Sequence, residues 1–146
     1  DARAHRWRVN LVTGRTTEAP MSERISEFPM INGEHAGVRH RYSYNALGVP
    51  GMFAFNGLLK HDLDTGEEEV LEAPEGVFLS ETAMAPRDDS ASEDDGYLLT
   101  FVSDVPNDRS ECWVLDAGCP SDGPIARISL PERISSGTHS TWSPAT

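Results

Sequence analysis

Asn10-Leu11-Val12-Thr13-Gly14-Arg15 reads like Asp62-Leu63-Asp64-Thr65-Gly66-Glu67, and this pair decides the fold. Both are a strand end running into a hairpin, with glycine where the turn needs a positive φ. Leu115-Asp116-Ala117-Gly118 is a looser third copy. Asn10, Asp62 and Asp116 stand 52 and 54 residues apart. A period near fifty, with several short strands in each period, marks the blades of a β-propeller. A β-sandwich, the simpler all-β alternative, predicts no such spacing.

The rest of the chain reads the same way. Arg6–Val12, Arg39–Tyr44 and Tyr97–Val102 are short, rich in β-branched and aromatic residues, and bounded by turn formers. No stretch keeps a helical period with caps at both ends. Ten prolines and twelve glycines are spread along the chain, as many short strands require. The expectation is an all-β chain of 146 residues, holding two to three blades. Its first residues read as mid-strand, so residues 1–146 are expected to be a fragment of one larger propeller domain.

The repeat extends beyond the hairpins. About one strand after each comes a small hydroxyl residue followed by an ionisable one: Ser26-Glu27, Ser80-Glu81 and Thr138-His139. Glu27 and Glu81 are 54 apart, and His139 follows 58 later. Equivalent blade positions would direct all three toward one central point. Locally, His139 also fits a packed, hydrogen-bonded histidine. A buried carboxylate needs a partner, and a metal-bound histidine offers one through its second ring nitrogen.

Other groups read as structural. His35 and His40, five apart, fall on opposite faces of a strand and cannot easily share a metal. His5 and His61 fall in outer-strand contexts. Asp62–Glu67 lacks the further ligands of a calcium loop, and Glu93-Asp94-Asp95-Gly96 reads as a solvated acidic turn. A net charge of −12 disfavours nucleic acid and anionic membrane surfaces. No apolar run approaches a membrane span. Two cysteines, Cys112 and Cys119, make neither a disulfide framework nor a zinc site, and a cytoplasmic setting is expected.

An ordered set of segments then resembles one family. His5-Arg6-Trp7, Ser26-Glu27-Phe28-Pro29-Met30-Ile31-Asn32 and Arg39-His40-Arg41-Tyr42-Ser43-Tyr44 begin it. Lys60-His61-Asp62-Leu63-Asp64-Thr65-Gly66, Glu93–Leu99 and Gly137-Thr138-His139-Ser140-Thr141-Trp142 complete it. The chain resembles the C-terminal portion of the carotenoid cleavage oxygenases, lignostilbene dioxygenases and the retinal pigment epithelium isomerase. The resemblance implies a seven-bladed propeller with Fe(2+) on its axis, held by four histidines and oriented by three glutamates. It maps His139 onto the last ligand, and Glu27 and Glu81 onto glutamates that hydrogen-bond to ligands. Three residues depart from the family pattern: Thr82 stands where proline is common, Thr138 where a large apolar residue is usual, and Ser140 where glycine is usual.

The implied reaction is O2-dependent cleavage of a double bond in an apolar polyene or stilbene, giving two carbonyl products. The implied partners are that substrate, O2 and the N-terminal part of the propeller, through which peripheral membrane contact would also come. The chain by itself is expected to be inactive and to hold iron weakly, which metal analysis after dialysis checks. The alternative is a non-catalytic propeller module that has lost the metal site, and three further histidines upstream would separate the two.

Overall fold

A computed structural model describes residues 1–135 and 137–144; Ser136, Ala145 and Thr146 lie outside the described residues. The chain runs as a hairpin followed by two four-stranded units. The hairpin pairs β1 (His5–Val9) with β2 (Thr16–Pro20). The first sheet is an antiparallel meander of β3 (Ser26–Met30), β4 (Tyr42–Gly48), β5 (Phe55–Asp62) and β6 (Glu68–Glu72). The second repeats it with β7 (Val77–Pro86), β8 (Gly96–Asp104), β9 (Arg109–Asp116) and β10 (Pro124–Ser129). Among the described residues the only helical pieces are two 3-10 turns, Gly33–His35 and Pro120–Asp122.

The repeated hairpins owe their likeness to one set of hydrogen bonds. Asn10 Oδ1 accepts from the amides of Val12 and Thr13, both at 2.9 Å. Asp62 Oδ1 accepts from Asp64 and Thr65 at 3.0 and 3.2 Å. Gly14 (φ 69°) and Gly66 (φ 80°) then turn the chain, each donating to the carbonyl of the leading Asn or Asp at 2.8 Å. This capture of the amides ends β1 at Val9 rather than Val12. Leu11 and Val12 become turn-tip residues, 93% and 95% exposed.

At the third copy the spacing holds and the geometry differs. Asp116 Oδ1 still accepts from Gly118 at 2.8 Å. The chain then makes the 3-10 turn at Pro120, and the positive φ falls on Gly123 (88°). A further shift occurs at β4, which begins at Tyr42 rather than Arg39. The amides of Arg41 and Tyr42 donate to the Glu93 carboxylate at 2.8 Å, and Arg39 pairs with Asp64 at 2.9 Å.

The two sheets pack face to face. On β8, Leu98, Thr100 and Val102 alternate inward, while Phe101 faces out and is 41% exposed. Leu98, Val102, Trp113 and Leu115 meet Tyr44 and Leu58 of the first sheet in one core. Tyr44 Oη donates to the Ala117 carbonyl at 3.1 Å, carrying a hydrogen bond across the junction.

The acidic turn at Glu93–Gly96 is a latch between the sheets rather than a solvated loop, because cationic groups meet its carboxylates. Lys60, almost wholly buried, donates to Asp94 Oδ2 and to the Gly118 carbonyl, both at 2.7 Å. Its ammonium also lies 4.5 Å from the centre of the Tyr42 ring. Asp95 pairs with Arg87 at 2.8 Å. The expected hairpin character of Asp62–Glu67 holds. Arg41 grips Asp62 Oδ2 at 2.6 Å and Arg39 occupies Asp64, so no free carboxylate pair faces a cation there.

These contacts set an acid limit. The Arg41 hydrogen bond holds the Asp62 carboxyl well below the usual carboxylate range. At Asp94 burial pushes upward, and hydrogen bonds from Lys60 and Ser92 with the Lys60 charge outweigh it, so that carboxyl is also lowered. The Asn107 amide and Arg109 lower Asp104 against the opposing effect of its burial. A carboxyl depressed in the folded state stabilises above the unfolded pKa, about 3.9, and that contribution is lost as pH falls through the folded value. The melting temperature is therefore expected to hold down to about pH 4 and to drop below it. Asp62→Asn should flatten part of that drop; an unchanged slope would remove Asp62 from the account.

Candidate functional site

Two edge strands carry the candidate glutamates, and each is bulged nearby: β3 at Phe28 and Pro29, just after Glu27, and β7 at Ser80 and Glu81 themselves. In β3 the register slips by one residue between Glu27↔Ala46 and Met30↔Tyr44. In β7 it slips between Leu79↔Val102 and Thr82↔Thr100, with Ser80 and Glu81 inside the bulge. A bulge bends its strand and re-aims a side chain. The two bulges are offset by two positions in the 54-residue register, so only Glu81 is itself lifted out of its ladder.

His139 docks on the second of these bulges. Its Nδ1 lies 3.3 Å from Glu81 Oε2, the same oxygen that accepts from the Ser140 amide at 2.5 Å. Ser140 Oγ donates to the Glu81 backbone carbonyl at 3.3 Å. Gly137 supplies the closeness, since a methyl group there would meet Ser80 Oγ at 3.1 Å. The Glu81 side chain is only 11% exposed while that of His139 is 77% exposed. The carboxylate is therefore held in the protein and the imidazole is presented outward from it. In a neutral ring, a carboxylate beside Nδ1 favours the tautomer that carries its proton there and leaves the Nε2 lone pair free.

An apolar wall stands beside the ring. Phe28 meets His139 edge-on with centroids 5.2 Å apart, and Phe53 and Phe55 lie 6.1 and 5.2 Å from Phe28. Phe28 sits at φ 52°, a conformation bulky residues rarely hold. That strain falls in the β3 bulge, next to Glu27. Phe53 is 74% exposed on the β4–β5 loop, where it meets Phe28 edge-on.

The three candidates are not all brought together. Glu81 and His139 are in contact, whereas Glu27 approaches the ring only through its neighbour Phe28. Glu27 lines a separate cleft of about 530 Å³ with Ser26, His40, Asn45 and His61. His61 is 1% exposed on β5, an interior strand rather than an outer one. Among the described residues, no group of three or more His, Cys, Asp or Glu side chains is placed to hold a metal ion. His139 and Glu81 fit the role of one ligand and its orienting carboxylate, not of a whole site. Both cysteines are free, Cys112 half-buried and Cys119 exposed. No helix is long and apolar enough to cross a membrane.

Sequence reasoning named Ser140 only as a departure from the family pattern and gave Phe28 no role of its own. Ser140 contributes mainly its backbone amide, which carries no residue-type signal. Phe28 lies within a quoted segment, but its approach to His139 depends on the bulge.

Comparison with known proteins shows the family and the fold. The family described as RPE65, retinal pigment epithelial membrane protein, matches residues 1–144. A carotenoid cleavage oxygenase of Mycobacterium tuberculosis is 32% identical, over 97% of this chain and 29% of its own length. Lignostilbene-alpha,beta-dioxygenase isozyme III of Sphingomonas paucimobilis is 30% identical, over 97% and 32% respectively. Among solved structures, cobalt-substituted Synechocystis apocarotenoid oxygenase superposes with a TM-score of 0.92 at 26% identity, covering 98% of this chain and 30% of that one. The chain thus spans about 30% of the length of the relatives it matches, and its two sheets and hairpin are part of a β-propeller.

Proposed function

Since the chain belongs to the family of the retinal pigment epithelial membrane protein and the carotenoid cleavage oxygenases, we propose that it supplies the C-terminal part of an iron(II)-dependent dioxygenase. The reaction is the addition of O2 across one carbon-carbon double bond of a carotenoid, apocarotenoid or stilbene. That bond breaks, and each carbon leaves as a carbonyl bearing one oxygen atom. The observation that carries this reading is the Glu81 carboxylate on His139 Nδ1, beside an aromatic wall.

His139 would contribute one ligand nitrogen, Nε2, to the ferrous ion. When bound, iron supplies the means of activating O2, which side chains alone lack. Glu81 keeps the proton on Nδ1, fixes the ring plane and strengthens the ring as a donor. Glu27, half-buried and facing its own cleft, is suited to steady another histidine in the same way. The remaining ligands would come from chain outside these residues. Phe28 and Phe53, backed by the buried Phe55, offer a rod-like apolar substrate a surface to lie against.

The test is turnover of the intact protein with an apocarotenoid or a stilbene under 18O2. Two carbonyl products, each carrying label, support the reading. A folded, iron-loaded protein that cleaves neither class favours the non-catalytic alternative.

A narrower expectation concerns the wall. Burying an apolar side chain is worth about 1.5–3 kcal/mol. Phe53→Ala should therefore raise KM by about tenfold and leave kcat nearly unchanged, the pattern of lost uniform binding. An unaltered KM would take Phe53 out of the substrate wall.

A further inference from the structure

We infer that Thr100 is a positioning residue for His139, acting through the backbone of the β7 bulge. The inference rests on the reading of His139 as a ligand, and deepens it by naming what aims its carboxylate. The bulge leaves Ser80 and Glu81 opposite Phe101 alone, so the ladder is interrupted at the residue that matters. Thr100 Oγ1 donates to the Ser80 carbonyl at 3.0 Å, inside that interruption. Thr100 is 2% exposed and Ser80 6% exposed, so water does not readily replace this donor. From Ser80 the chain passes directly to Glu81, whose carboxylate receives the Ser140 amide and faces His139.

The adjacent Thr82 shows that a buried hydroxyl here is not enough. It is 1% exposed, and its Oγ1 has no hydrogen-bond partner among the described residues. The two hydroxyls share a ladder position, yet only that of Thr100 reaches the bulge. Thr82 is therefore the natural control.

The link predicts a local effect. Without the Thr100 donor the bulge relaxes, Glu81 loses its aim, and the segment carrying His139 loosens while the core stays closed. Amide hydrogen exchange in the intact protein reads this directly and needs no metal. Thr100→Val should speed exchange in residues 137–144 by about tenfold and leave β9 at the wild-type rate, because local opening need not pass through the core. Thr100→Ser, which restores the donor, should restore protection, and Thr82→Val should change nothing. Iron affinity, measured alongside, should fall about tenfold in Thr100→Val, the loss typical when a partner that orients a ligand is removed.

If Thr100→Val does not fold, Thr100→Ser and Thr100→Cys give the same comparison at similar volume. The thiol is the weaker donor, so Cys should open residues 137–144 and Ser should not. Unchanged exchange there, or equal acceleration in β9, would overturn the positioning role. Faster exchange there with iron affinity unmoved would leave the positioning intact and overturn His139 as a ligand.

Discussion

His139→Ala in the intact protein is expected to abolish both iron retention and double-bond cleavage, and Glu81→Gln to weaken iron binding by about 10–100-fold. The two effects differ because the residues do different things. Alanine removes the nitrogen that would bind the metal. Glutamine keeps one acceptor oxygen, but that oxygen cannot match a carboxylate in serving both the Ser140 amide and His139 Nδ1. The side chain of Glu81 is nearly buried, so water is a poor substitute. Metal analysis together with product detection checks both variants. If His139→Ala keeps stoichiometric iron, His139 is not a ligand. If Glu81→Gln binds iron like the wild type, the Glu81 contact is packing and no more.

Leu98→Ala should be the most damaging conservative change to the fold, costing about 3–4 kcal/mol. Leu98 is 0% exposed and sits on β8 where the two sheets share one core. Truncation there removes contacts to both sheets and leaves a cavity between closely packed strands. The expected fall in melting temperature is about 10 °C. Leu11→Ala is the matching control, because Leu11 is 93% exposed at a hairpin tip and its loss should be nearly silent. Equal losses from the two substitutions would contradict a core held between the sheets.

Much of this was readable from the chain. The two hairpins could be recognised because their shape is encoded in side chains: an Asn or Asp that captures two amides, and a glycine at positive φ. Such local chemistry survives in sequence whatever surrounds it. The spacing of Glu27 and Glu81 was readable for the same reason, since each is fixed relative to its own hairpin. The third hairpin was readable only in position. Asp116 keeps its hydrogen bond to Gly118, and the residues after it widen the turn.

What escaped the sequence is what depends on long-range pairing. The Glu93–Asp95 turn looks solvated until Lys60 and Arg41 are brought to it from another sheet. The convergence expected of Glu27, Glu81 and His139 came out as one contact and one separate cleft. Equivalent positions in successive blades fix direction, while a direct contact also needs a partner segment to arrive, as residues 137–140 arrive on β7. The role of Thr100 had no local signal, because a register slip in β7 creates the carbonyl that it serves.

The most direct measurement is a crystal structure of the intact, iron-loaded protein with anomalous data collected at the iron edge. The account predicts a peak within bonding distance of His139 Nε2, with Glu81 still on Nδ1. A peak elsewhere, or iron held with the His139 ring turned away from it, would contradict the assignment of His139 as a ligand.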